Sequence, residues 1–160
     1  MKRMSRKTVL LGVISPALFA VAAMAQTFGF HSSFVGSTPD VTIAGVPSGT
    51  SPWAIQGSFA HVINGEKIDV RLRGLVRTDT GTASPVTQVS ASLVCGADGG
   101  SVVSTTDPAP LSDAGDAHFM KPIMVPDVCF APIVLIQIAG INGNLLDQPA
   151  NWIAVTGRSN

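Results

Sequence analysis

The sequence predicts an all-β domain: a two-sheet antiparallel β-sandwich of about eight strands closed by one disulfide. Three observations carry that expectation. After residue 25 the chain has one Glu and two Lys, and no stretch sustains an i, i+3, i+4, i+7 apolar pattern for twelve residues. Helices therefore lack both their usual formers and their apolar stripe. Gly and Pro supply 25 of the 135 residues from 26 to 160 and punctuate short apolar runs. Several of those runs alternate apolar and polar residues, the period of a half-buried strand.

Residues 1–25 read as an address. Lys2, Arg3, Arg6 and Lys7 form a basic start, Val9 to Ala23 an apolar run, and Ala23-Met24-Ala25 the small residues a signal peptidase needs. This is a secretory signal peptide with cleavage expected before Gln26. The run would reach about 22 Å as a helix, short of a hydrocarbon core of about 30 Å, so no transmembrane anchor is expected after cleavage. The destination is outside the cytoplasm, in the periplasm or the extracellular medium. Residues 26–160 then form one domain, with a Gly- and Ser-containing stretch at 26–40 expected to be mobile. They carry six basic and ten acidic residues, a net charge of −4. That argues against nucleic acid as a partner, which needs a clustered basic surface. It also argues against a polybasic membrane surface protein.

The elements follow in chain order. Val41 to Val46 is a short first strand. Asn64-Gly65 is a two-residue turn signal, since both positions tolerate the positive φ of a type I′ turn. A two-residue loop pairs residues whose numbers sum to 129, so Trp53, Ile55, Gly57, Phe59 and His61 would share one face with Ile68, Val70, Leu72, Gly74 and Val76. That face is apolar apart from His61. Lys67, Asp69, Arg71 and Arg73 would lie opposite, facing solvent. Val86 to Cys95 alternates and places Cys95 on its apolar phase. Ser101 to Thr106 follows a Gly-rich turn, and Asp116 to Val125 reads as an edge strand because of Pro122. Phe130 to Ala139 is apolar except for Gln137, as in a central strand buried on both faces. Asn151 to Thr156 closes the domain.

Cys95 and Cys129 are the only cysteines, and in an oxidising compartment an even pair reads as a disulfide. The arrangement is similar to an immunoglobulin domain in architecture alone. A true immunoglobulin domain places a Trp between its two cysteines, whereas Trp53 and Trp152 both lie outside the Cys95–Cys129 interval.

No motif assigns a catalytic reaction. His31, His61 and His118 have neither H-x-H nor H-E-x-x-H spacing, and structural roles are expected of them. There is no G-x-S-x-G elbow, and the Asp residues sit mostly at turns. Neither a metal site nor a cofactor is expected. Lys67, Arg71, Arg73 and Arg77 form a basic stripe, read as a solvated face because no aromatic residue interleaves it. Tyr is absent, so a sugar platform would have to be Trp. Trp152 is the candidate ligand-binding residue, exposed if Ile153 and Val155 face the core. The expected role is a secreted, non-catalytic binding or structural domain with no named ligand. Two alternatives stand beside it: a carbohydrate- or cell-envelope-binding module using Trp152, and a small secreted hydrolase using one of the histidines.

Overall fold

The computed structural model describes residues 28–96 and 100–157. The export segment expected at 1–25, its cleavage point before Gln26 and the turn residue Asp98 lie outside them. The described residues contain twelve strands and no helix. These are β1 (Phe30–Gly36), β2 (Thr42–Ile43), β3 (Val46–Pro47), β4 (Trp53–Ile63), β5 (Lys67–Arg77) and β6 (Val86–Cys95). They continue with β7 (Ser101–Thr105), β8 (Ala109–Pro110), β9 (Ala117–Pro122), β10 (Ile133–Ile141), β11 (Asn144–Leu145) and β12 (Trp152–Thr156).

Ten strands form one antiparallel sheet in the order β7-β6-β10-β12-β1-β4-β5-β9, with β8 on β6 and β11 on β10. Two separate sheets were expected. A single path results because β1 serves both limbs: Phe30 to Ser33 pair with β4, and Phe34 to Gly36 pair with β12. The sheet curls as well. Just past β9, the Met124 N–H donates to Ser104 Oγ on β7 at 3.0 Å, so the two ends of the path come within a hydrogen bond. Register shifts within β4–β5, β6–β7, β6–β10 and β10–β12 supply the local bends such curling needs.

The stretch expected to be mobile instead carries a central strand. Phe30, Ser32 and Phe34 alternate inward on β1, and Phe34 is buried in the core. That anchor outweighs the Ser- and Gly-rich composition of the segment. Residues 42–47 form the small ribbon β2–β3, separate from the main sheet.

The main core gathers Val62 and Ala60 from β4, Ile68, Val70 and Leu72 from β5, Val89, Ala91 and Leu93 from β6, and Val134 and Ile136 from β10. Burying each such aliphatic side chain fully contributes about 1.5–3 kcal/mol. A second cluster lies on the far face of β6, β10 and β12. There Val94, Leu135 and Trp152 pack against Ile43 and Val46 of the ribbon. β10 is thus buried on both faces, as its apolar run predicts.

The β4–β5 hairpin corrects the expected register. Asn64 and Gly65 do take positive φ, and the Glu66 N–H donates to the Ile63 carbonyl. Yet Ile63 pairs with Lys67, so partners near the turn sum to 130 and not 129. One extra residue, Glu66, flips β4 relative to β5. Ala60 and Val62 therefore face the core, while Phe59 and His61 turn outward. Further shifts around Gly57 and Gly74, both at positive φ, turn Trp53 and Ile55 back to the core side. There Trp53 pairs with Arg77, and the buried β5 residue is Leu75 in place of the expected Val76. Trp53 accordingly lies in the core, as expected, at 6% exposure.

Cys95 and Cys129 form the disulfide, with Cα atoms 5.0 Å apart across a separation of 34 residues. It ties the end of β6 to the segment entering β10, where the Gly96 N–H also donates to the Phe130 carbonyl. A loop of this length stabilises the fold by about 3–4 kcal/mol on the chain-entropy account.

Candidate functional site

The flipped phase of β4 builds the candidate site. The outer side of β1, β4, β5 and β9 carries two adjacent cross-strand rows. One row runs His31, His61, Asp69, Met120; the other runs Ser33, Phe59, Arg71, His118. Side chains two apart on a strand share a face, so both rows look outward. All three histidines of the chain therefore meet on one surface, and all three are exposed.

The contacts are specific. The His31 and Phe59 rings stand 5.2 Å apart, and the His31 and His61 rings 5.7 Å apart at an interplanar angle of 68°. The Arg71 guanidinium carbon lies 5.7 Å from the centre of the Phe59 ring, a cation–π distance. His118 Nε2 and Asp69 Oδ1 are 3.0 Å apart, with the Asp69 side chain only 15% exposed and that of His118 57% exposed. Beside them is an open hollow of about 430 Å³, lined by Arg71, Leu72, Arg73, Asp116, Ala117 and His118. Asp116 closes its far side, accepting a hydrogen bond from the Gly74 N–H at 3.0 Å.

Charge on this face is uneven. Among the described residues the ion pairs are Arg77 with Asp79 and His118 with Asp69. Exposed Lys67, Arg71 and Arg73 have no carboxylate within ion-pair distance there. Three of the four stripe residues, Lys67, Arg71 and Arg73, are exposed on this side, with Phe59 beside Arg71, whereas Arg77 is half-buried and paired with Asp79. That overturns the reason for reading the stripe as a bare solvated face.

Trp152 sits elsewhere, and its expected exposure is corrected. Ile153 does face the core, but a register shift puts Val155 with Trp152 in the second cluster, where the β2–β3 ribbon covers that side of β12 and leaves Trp152 at 3% exposure. Its indole Nε1 is buried without a hydrogen-bond partner among the described residues. A sugar platform needs an open aromatic face, and Trp152 has none. Cys95 and Cys129 are fully engaged with each other.

Sequence reasoning left the histidines scattered because the contacts His31–His61 and Asp69–His118 span 30 and 49 residues of chain. One local signal was present. Phe30, Ser32 and Phe34 against His31, Ser33 and Val35 is a strand-like alternation that turns His31 outward.

The histidine cluster is an exposed set of nitrogen donors with one adjacent carboxylate. Among the described residues, no three or more His, Cys, Asp or Glu side chains stand in a metal-binding group. Nor does any hydroxyl or thiol side chain hydrogen-bond to His118 among them. No helix there is long and apolar enough to cross a membrane. The chain matches no protein-family model, no curated protein and no solved structure.

Proposed function

We propose that this is an exported, non-catalytic binding domain whose binding face is the outer side of β1, β4, β5 and β9. Its partner is an acidic polymer of the cell envelope bearing carboxylate, phosphate or sulfate groups. One observation carries the reading: Arg71 and Arg73 stand exposed beside an open hollow, without carboxylate partners, and Arg71 is braced over Phe59. Guanidinium groups match such anions in a planar, two-pronged geometry. Residues 26–160 carry a net charge of −4, so three unpaired cations on one face are a local exception. The disulfide and the signal-like segment at 1–25 support export. A core shared by β4 and β5 on one side and β6 and β10 on the other supports reading the curled sheet as two facing layers, a sandwich.

Calorimetric titration with polygalacturonate, and with neutral dextran as control, tests the reading. Saturable binding of the acidic polymer alone is expected, weakened about tenfold or more in Arg71→Ala/Arg73→Ala and by added salt. Equal affinity of the double variant, or no binding of the acidic polymer, overturns it.

The His118–Asp69 pair favours a second reading, a small hydrolase in which Asp69 orients His118 as a general base. An exposed sheet face does little to exclude water from such a base. Ester or glycoside hydrolysis by the purified protein, abolished in His118→Ala, would replace the binding proposal.

A further inference from the structure

We propose that His31, His61 and His118 make binding on the outer sheet face proton-linked, so that it holds an acidic polymer more tightly as the pH falls from about 8 to about 5.5. The inference rests on the acidic-polymer reading above and adds its regulation. Imidazole is the side chain that changes charge across this range. Every histidine of the chain lies on the one face that carries Lys67, Arg71 and Arg73.

Cross-strand register brings these charges close together. His118 is the β9 partner of Arg71, one strand spacing of about 4.8 Å away. His61 lies two residues beyond Phe59, the β4 partner of Arg71, which makes it a diagonal neighbour at roughly 7–8 Å. His31 is one strand further, opposite His61. The Debye length at physiological salt is about 8 Å, so charge on His61 and His118 acts on an anion held at Arg71 before salt screens it out. No shared contact between the rings is required. His118 has a second effect, because its Nε2 stands 3.0 Å from Asp69 Oδ1. With His118 neutral, Asp69 is a bare anion among the cations and opposes a polyanion. With His118 protonated, the two form an ion pair and that opposition is removed.

The other groups facing the three rings leave the sign unambiguous. Ser33, Phe59 and Met120 are uncharged, β5 supplies Lys67, Asp69, Arg71 and Arg73, and Asp116 lines the hollow beside His118. Lys121 has the opposite parity on β9, and Glu66 lies beyond Lys67 at the turn. Counted over the strands and the hollow, the face carries a formal charge of +1 with neutral histidines and +4 with all three protonated. Protonation adds only positive charge, so affinity for a polyanion rises as the pH falls. The carboxylates of the polymer, with an ordinary pKa of about 4, stay ionised throughout.

Protein free of any polyhistidine tag would be titrated calorimetrically with polygalacturonate at about pH 8, 6.5 and 5.5, at one ionic strength. Affinity should rise about tenfold or more toward the acid end, with protons taken up on binding, because protons and polymer are linked ligands. The uptake is read from the dependence of the binding heat on the ionisation enthalpy of the buffer. In His31→Gln/His61→Gln/His118→Gln the affinities at the two extremes should agree within about twofold. His118→Gln alone should remove the largest share of the pH dependence, since His118 is nearest Arg71 and neutralises Asp69. Arg71→Ala/Arg73→Ala should weaken binding at every pH. Circular dichroism of each variant checks that it is folded, as expected for exposed positions. Binding that is equally tight at both extremes, or a pH dependence that persists in the triple histidine variant, overturns the proton linkage and leaves the acidic-polymer reading standing. No binding at any pH overturns both.

Discussion

Trp152 on β12 is covered by the β2–β3 ribbon, whereas Phe59, His61 and Arg71 on β4 and β5 meet solvent directly. The two limbs of one sheet share a common core and differ in what lies outside it. The limb of β6, β10 and β12 is packed on both sides: Val94, Leu135 and Trp152 outside, Leu93, Val134 and Ile136 inside. Its outer layer includes Gln137, whose amide donates to the Ala150 carbonyl at 2.7 Å and whose oxygen accepts from Ser92. The limb of β1, β4, β5 and β9 is packed on one side, where Phe34, Trp53 and Phe119 lie in the core, and carries Lys67, Arg71, Arg73, the histidines and Phe59 on the other. Substitutions on the outer side of the first limb should therefore cost stability, and those on the outer side of the second should cost binding.

The largest effect should come from Trp152→Ala. Removing a buried indole leaves a cavity and should lower unfolding stability by about 3–5 kcal/mol. Urea denaturation measures it. A loss under about 1 kcal/mol would mean that the ribbon does not cover β12, and would restore Trp152 as a surface residue. Fluorescence sharpens the same point: with Trp53 at 6% and Trp152 at 3% exposure, emission should be blue-shifted and resist quenching by iodide.

The disulfide comes next. Cys95→Ala/Cys129→Ala should lose about 3–4 kcal/mol, because its loop of 34 residues no longer limits the unfolded chain. Gln137→Ala should cost about 1–3 kcal/mol by leaving the buried Ser92 hydroxyl with one partner fewer. Both losses would appear as lower denaturation midpoints, at unchanged slope for Gln137→Ala and at a steeper slope without the disulfide, whose unfolded chain exposes more surface.

The difference between the limbs also sets what could be read from the chain. A strand packed on both faces writes a continuous apolar run, and Phe130 to Ala139 announced β10 without any knowledge of register. The disulfide was legible from count and compartment. A strand packed on one face is written as parity, and parity is fragile. One extra residue at Glu66 exchanged Phe59 and His61 for Ala60 and Val62 on the core side. Near the turn both parities of β4 are apolar apart from His61, so the wrong choice carried only the penalty of one inward histidine. The burial of Trp152 was hidden for another reason. It depends on a ribbon more than 100 residues earlier in the chain, and the link between them includes a lone parallel bridge from Ser48 to Trp152. The candidate site failed to show for the same cause as the register. Its rows exist only once β1, β4, β5 and β9 are aligned side by side.

The smallest expected effect on stability belongs to Arg71→Ala, and it separates the limbs most cleanly. Arg71 is exposed, has no carboxylate partner among the described residues and touches the fold through the Phe59 ring. An exposed cation–π contact contributes about 0.5–1 kcal/mol, so thermal unfolding should move by a few degrees at most. Binding of an acidic polymer should fall far more steeply, since the guanidinium is then the contact itself. A variant that lost several kcal/mol of stability would show that the outer face of β4 and β5 holds the fold together, as Trp152 does on the opposite limb. One that kept both its stability and its affinity would leave Arg73 and Lys67 as the cations that matter on this face.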